Sequence, residues 1–114
     1  MIVDFENLVN ALKETGIRFC EYEWGQRPEG DYGVVSIDFE GESFYGDDRK
    51  VDRSWEGSVD LFFYGLDKRR EYVRTIEGVL NEFCECGWTL NSNQFERSTN
   101  LFHIEWTFSL CGVE

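Results

Sequence analysis

One histidine, four cysteines and a scatter of carboxylates are the side chains of this sequence that could carry chemistry. A histidine acts as a general base when a hydroxyl or thiol and an orienting carboxylate converge on it. His103 sits in Leu101–Leu110, where alternation turns it outward as a solvated strand residue. No Gly-x-Ser-x-Gly elbow accompanies it. Cys84-Glu85-Cys86 has one intervening residue, whereas thiol redox pairs and zinc ribbons use Cys-x-x-Cys, and tetrahedral zinc needs four converging ligands. The expectation is that Cys84 continues a helix and Cys86 lies at its frayed end. Asp47-Asp48 and Asp52 lack the Asp-x-Asp-x-Asp-Gly pattern and trailing Glu of a calcium loop, and the glycines form no phosphate-binding motif. The reading is a protein that is not an enzyme, with no catalytic residues, no cofactor and no metal.

The elements that would position these groups follow from periodicity. Asp4 reads as an N-cap, Phe5, Leu8, Val9 and Leu12 follow at helical spacing, and Gly16 is the natural stop. Ile17–Trp24 alternates and is aromatic-rich, which predicts a half-buried strand. After a loop with the single proline, Tyr32–Glu40 resumes the two-residue period, with Val35, Ile37 and Phe39 on one face. Phe44–Arg53 is a charge-dense connection. It leads to Ser54–Tyr64, whose apolar bulk on both faces predicts a central strand. Asp67 is expected to cap a second helix with the stripe Tyr72, Val73, Ile76, Val79, Leu80 and Phe83, ended by Gly87. Trp88–Glu96 and Leu101–Leu110 close the chain around the turn Arg97–Asn100. In the last strand Phe102, Ile104, Trp106, Phe108 and Leu110 face inward. The predicted fold is α+β in the order αβββαββ, two helices packed on one face of a mostly antiparallel sheet, as one domain over residues 1–114.

Composition bounds the partners. Its 114 residues are 41 % hydrophobic and 17 % aromatic, enough for one core and too apolar for disorder. Folding should leave about 6,500 Å² of surface. Twenty-three acids against eleven bases give a net charge of −12, which disfavours sequence-specific nucleic-acid binding and anionic membranes. Apolar runs such as Leu61–Tyr64 are far too short to span a bilayer. The start, Met1–Glu6, lacks the pattern of a signal peptide, so Cys20, Cys84, Cys86 and Cys111 are expected to be reduced in a cytosol.

Two features invite a partner. Lys68-Arg69-Arg70 occupies the first turn of the second helix, where the macrodipole disfavours each positive charge by about 0.3–1 kcal/mol. An acidic partner would offset that cost; solvation on a stable fold is the plain alternative. The segment Asp47, Asp48, Arg49, Lys50, Val51, Asp52, Arg53 is too long for a tight hairpin and carries both charge signs, so it can reach a neighbour or simply lie solvated.

The run Phe44–Val51 followed by Val59–Tyr64 resembles the small tail-completion proteins of long-tailed phages and prophages: tail terminators, head–tail joining and minor tail proteins. In that group an aromatic-Gly-Ala-Asp-Asn-Lys-like loop precedes a Val-x-Leu-x-Leu-Tyr-like strand, then a helix, a Trp-bearing strand and a final aromatic strand. Here the matching pieces are Asp67–Phe83, Gly87-Trp88 and Leu101–Leu110, with the helix Asp4–Thr15 and the Arg27–Tyr32 loop also in order. The chain departs at Asp31, where the pattern has a proline, and in reading Asp47-Asp48-Arg49-Lys50.

That resemblance implies a structural virion protein, assembled in the bacterial cytoplasm and located at the head-proximal end of the tail. It implies a homo-oligomeric ring, commonly hexameric, that halts polymerisation of the tail tube protein and meets the head-connector proteins while DNA passes through its lumen. Six copies carry six times the charge of −12, and an acidic lumen would let DNA slide without specific binding. A ring closes through a head-to-tail interface, so Lys68, Arg69 and Arg70, or Arg49, Lys50 and Arg53, are expected against acids of the adjacent subunit. The alternative expectation is an acidic DNA mimic that inhibits a host nucleic-acid-binding or defence enzyme.

Overall fold

The computed structural model describes residues 3–22, 24–26, 28–42 and 52–113. The chain is α+β: α1 (Val3–Lys13), β1 (Phe19–Glu21), β2 (Tyr32–Glu42), β3 (Asp52–Phe63), a 3-10 turn (Leu66–Lys68), α2 (Arg69–Phe83), β4 (Trp88–Glu96) and β5 (Leu101–Val113). The five strands form one mixed sheet in the order β1-β2-β3-β5-β4. β1 runs parallel to β2, and the other neighbours are antiparallel. β3 is central, paired on one side with β2 and on the other with β5, as its two bulky faces require.

One core joins the layers. Phe5, Leu8, Val9 and Leu12 of α1 and Ile76 and Leu80 of α2 pack in the same cluster as Val35, Val59, Leu61, Phe63, Ile104, Trp106, Phe108 and Leu110 of the sheet. Trp106 is fully buried, and its indole Nε1 donates to Glu77 Oε2 of α2 at 2.9 Å, so the ring's one polar group is satisfied. Gly16 adopts φ +94°, the left-handed conformation that ends α1.

Several sequence expectations shift. The strand expected over Ile17–Trp24 shrinks to Phe19–Glu21, because Tyr22 turns to φ 68° and Trp24 folds back to donate from Nε1 to Gly33 O at 3.2 Å. Asp4 lies inside α1 rather than capping it. Asp67 does not cap α2 either; it sits in the 3-10 turn, and the N-cap is Lys68 with no side-chain cap hydrogen bond. β3 begins at Asp52, two residues before Ser54.

β2 and β3 carry a register shift between Ile37 and Phe39, and Gly57 is the residue opposite it. A Cβ at Gly57 would lie 2.1 Å from Ser36 O and 2.7 Å from the Phe108 ring, so the close approach of the two strands depends on that missing atom.

The strands outrun the helices. At about 3.3 Å per residue β5 reaches about 43 Å, while α2 at 1.5 Å per residue covers only about 22 Å. The molecule measures 51 × 24 × 22 Å, with a radius of gyration of 15.3 Å. A compact chain of this length would have about 13 Å. Its 7,210 Å² of accessible surface likewise exceeds the expected value.

Candidate functional site

The face of the sheet opposite the helical core carries a row built by strand register. Tyr32 pairs with Phe62, Phe62 with His103, and His103 with Gln94, so one side chain from each of β2, β3, β5 and β4 lines up across the sheet. The Tyr32 and Phe62 rings stack at 4.8 Å between centroids, and Phe62 stacks on His103 at 4.2 Å. Trp24 meets Tyr32 edge-on at 6.4 Å.

His103 is not the solvated residue that alternation alone implied. It does lie on the outward face, but its side chain is only 21 % exposed. Nε2 lies 2.7 Å from Asp60 Oδ1 and Nδ1 lies 3.1 Å from Glu96 Oε2. The Asp60 hydrogen bond holds the imidazole pKa above its ordinary value; burial opposes this, and the charges of Asp60 and Glu96 reinforce it. With a carboxylate oxygen at each nitrogen, the ring when protonated donates from both and ties β3 to β5 and β4.

The network continues from Asp60 Oδ2, which accepts from Ser58 Oγ at 3.5 Å, with Ser36 Oγ a further 3.5 Å from Ser58 Oγ. Asp60 also stands directly opposite Glu105, a like-charge pair relieved by His103 on one side and by Asn91, whose Nδ2 donates to Glu105 Oε1 at 2.9 Å, on the other. Serine, aspartate and histidine meet here, yet not as a nucleophilic triad. The hydroxyl bonds the carboxylate, and both ring nitrogens are committed to carboxylates, so no imidazole lone pair faces the serine. The arrangement is an electrostatic clasp.

The basic group Lys68, Arg69 and Arg70 is exposed at the start of α2. Arg69 is not wholly free for a partner: with the Asn93 amide oxygen turned toward it, its guanidinium donates to that oxygen, 3.2 Å from Nε. Arg70 and Arg74 line a shallow hollow of about 390 Å³ with Asp67, Glu71 and Thr75. Asp47, Asp48, Arg49 and Lys50 lie outside the described residues. Asp52 and Arg53 open β3, their backbones paired with Val113 and Gly112 of β5. The start of α2 and the backbone of Asp52 and Arg53 lie toward opposite ends of β3, whose 12 residues span about 40 Å.

Asp31, the position where the resembled pattern has a proline, ties three elements together. Its Oδ1 accepts from the Tyr64 amide at 3.1 Å and its Oδ2 accepts from the Tyr72 hydroxyl of α2. Burial, with this carboxylate next, pushes the Tyr72 phenol up to about 12.

The cysteines also differ from expectation. Cys86 is disulfide-bonded, so the four are not all reduced. Cys20 and Cys84 carry thiols, and burial pushes Cys84 up to about 12, which makes it a poor nucleophile. Among the described residues no cluster of three or more His, Cys, Asp or Glu is placed to hold a metal, and no helix is long and apolar enough to cross a membrane.

The sequence pointed to two charged groups, Asp47–Arg53 and Lys68–Arg70, and not to the clasp. The clasp was missed because Asp60 and Glu96 reach His103 through strand register, from 43 and 7 residues away. Comparison with protein-family models and with curated proteins finds no match for this chain.

Proposed function

We propose that this protein is a structural component of a long-tailed phage or prophage tail, acting as a head-to-tail ring at the head-proximal end that stops tube growth and joins the tail to the head connector. The observation that carries the reading is an elongated body with the exposed, basic start of α2 toward one end and the first residues of β3, Asp52 and Arg53, at the other. A heterologous ring needs two different patches on each subunit, set far enough apart that a subunit cannot satisfy both itself. Lys68, Arg69 and Arg70 lie beyond one end of β3, and Asp52 and Arg53 open the other, with the long strands as a stiff spacer between them.

The order of elements supports the same reading: a short N-terminal helix, a hairpin of long strands, a second helix, a Trp-bearing strand and a long aromatic strand. The chemistry also fits a scaffold, since the open-face histidine is committed to binding its own sheet together. In the ring, the cations at the start of α2 meet acids of the adjacent subunit, and the acidic balance of each copy faces passing DNA without holding it. The ring is hexameric in this reading.

Charge reversal tests it. Lys68→Glu, Arg69→Glu and Arg70→Glu together should abolish rings seen by negative-stain microscopy, and wild-type rings should weaken as salt rises. Rings that form unchanged in the triple variant, with no salt dependence, would remove these residues from the interface. Salt-sensitive binding of the monomer to a basic nuclease would instead favour the acidic mimic.

A further inference from the structure

We infer that the outer edge of β4 is a self-association surface at which a second copy of this chain adds its own β4 antiparallel, about a two-fold axis at Asn93. This goes beyond the ring reading and does not depend on it.

β4 ends the sheet, and among the described residues no strand pairs with its outer side. Such an edge offers unpaired N–H and C=O groups and is ordinarily blocked by lysine, proline or an inward charge. β4 has none of these, and its one blunting device is the register shift between Leu90 and Ser92. Cys86–Phe95 is the longest stretch of the chain without an acid or base. On a molecule of charge −12 this is where a second copy approaches with least repulsion. The opposite edge differs: β1 covers Gly33–Val35 of β2, and the sequence beyond is acidic, with Asp38, Glu40 and Glu42, so a second copy meets more like charge there.

The spacing along β4 is self-complementary. Leu90 pairs with Trp106, Asn93 with Ile104 and Phe95 with Phe102, so the three stand opposite evenly spaced residues on one face of β5. Five residues apart, Leu90 and Phe95 would ordinarily point to opposite faces. The register shift between Leu90 and Ser92 makes Asn91 the extra residue and returns both to the same face, each two ladder steps from Asn93. A two-fold axis at Asn93 therefore sets Leu90 of each copy against Phe95 of the other. These side chains are 44 % and 48 % exposed in the single chain, among its few exposed large apolar groups. Pairing covers both with an aliphatic–aromatic contact, the kind that stabilises cross-strand neighbours.

Sedimentation of the purified protein, from micromolar to near-millimolar concentration and in low and high salt, tests this. The expected result is a monomer of 13.4 kDa passing to twice that mass, with the dimer favoured by salt because screening relieves repulsion between acidic copies. Leu90→Lys should weaken the dimer at least ten-fold, while Tyr22→Lys, at a more exposed apolar residue beside the other edge, should leave it intact. Circular dichroism checks that both variants fold. A wild type that stays monomeric at every concentration overturns the inference, as does a dimer that survives both Leu90→Lys and Phe95→Lys. A six-copy ring that forms without a dimer and ignores Leu90→Lys would overturn this pairing while supporting the ring. A salt-strengthened dimer lost in Leu90→Lys, without rings, would support the pairing alone.

Discussion

Replacing His103 with glutamine removes the charge from the clasp on the open face and keeps one N–H donor. The wild-type ring donates to Asp60 at 2.7 Å and to Glu96 at 3.1 Å, and Asp60 stands opposite Glu105. Losing a charge-assisted partner from half-buried carboxylates costs about 1–3 kcal/mol. For a chain of this length that is a fall in Tm of roughly 4–13 °C. The sign with pH follows from the raised folded pKa. The unfolded imidazole titrates at about 6.5, so the clasp's contribution is complete below that value and is lost as pH rises through the folded pKa. Urea melts of wild type and His103→Gln at a series of pH values should show a stability gap that is widest on the acid side and narrows toward alkaline pH. The chain has one histidine, so its proton NMR signal reads the folded pKa directly. A histidine that titrates at or below the ordinary value, or a stability gap that does not change with pH, would refute the clasp.

Two further perturbations test the packing. Gly57→Ala puts a methyl group 2.1 Å from Ser36 O, and because a backbone oxygen cannot swing aside the expected loss is about 3 kcal/mol, read by denaturant unfolding. Tyr72→Phe removes the hydroxyl that donates to Asp31, with an expected loss of about 1.5 kcal/mol. In ultraviolet titration one tyrosine should ionise late, near pH 12, and disappear in that variant; its raised pKa makes its contribution complete below about 10 and lost as pH rises through about 12.

Period-two and period-3.6 patterns made most elements legible. Ile104, Trp106, Phe108 and Leu110 alternate without interruption and are the buried face of β5, and Ile76 and Leu80 are the buried centre of the α2 stripe. What stayed hidden depends on pairing between distant strands. Nothing in Phe19-Cys20-Glu21 announces that it runs parallel to β2, because local pattern does not encode direction. The register shifts beside Ile37 and Leu90 are equally silent, yet one explains Gly57 and the other puts Leu90 and Phe95 on one face. Asp67 looked like a cap because a short polar side chain precedes a helical stripe, but one more turn of 3-10 helix comes first. The exposure of Lys68, Arg69 and Arg70 was readable from the sequence. The bond from Arg69 to Asn93 was not, since it joins α2 to a strand whose place at the sheet edge emerges only from topology.

The proposed ring requires the two ends of an elongated, acidic protomer to meet head to tail. Its most direct test is negative-stain microscopy with class averaging of the concentrated protein, alone and mixed with purified tail tubes. The expected result is closed rings, with a mass near six times 13.4 kDa by sedimentation, either in solution or seated on tube ends. A protein that forms no ring in solution and leaves tube ends bare would contradict it.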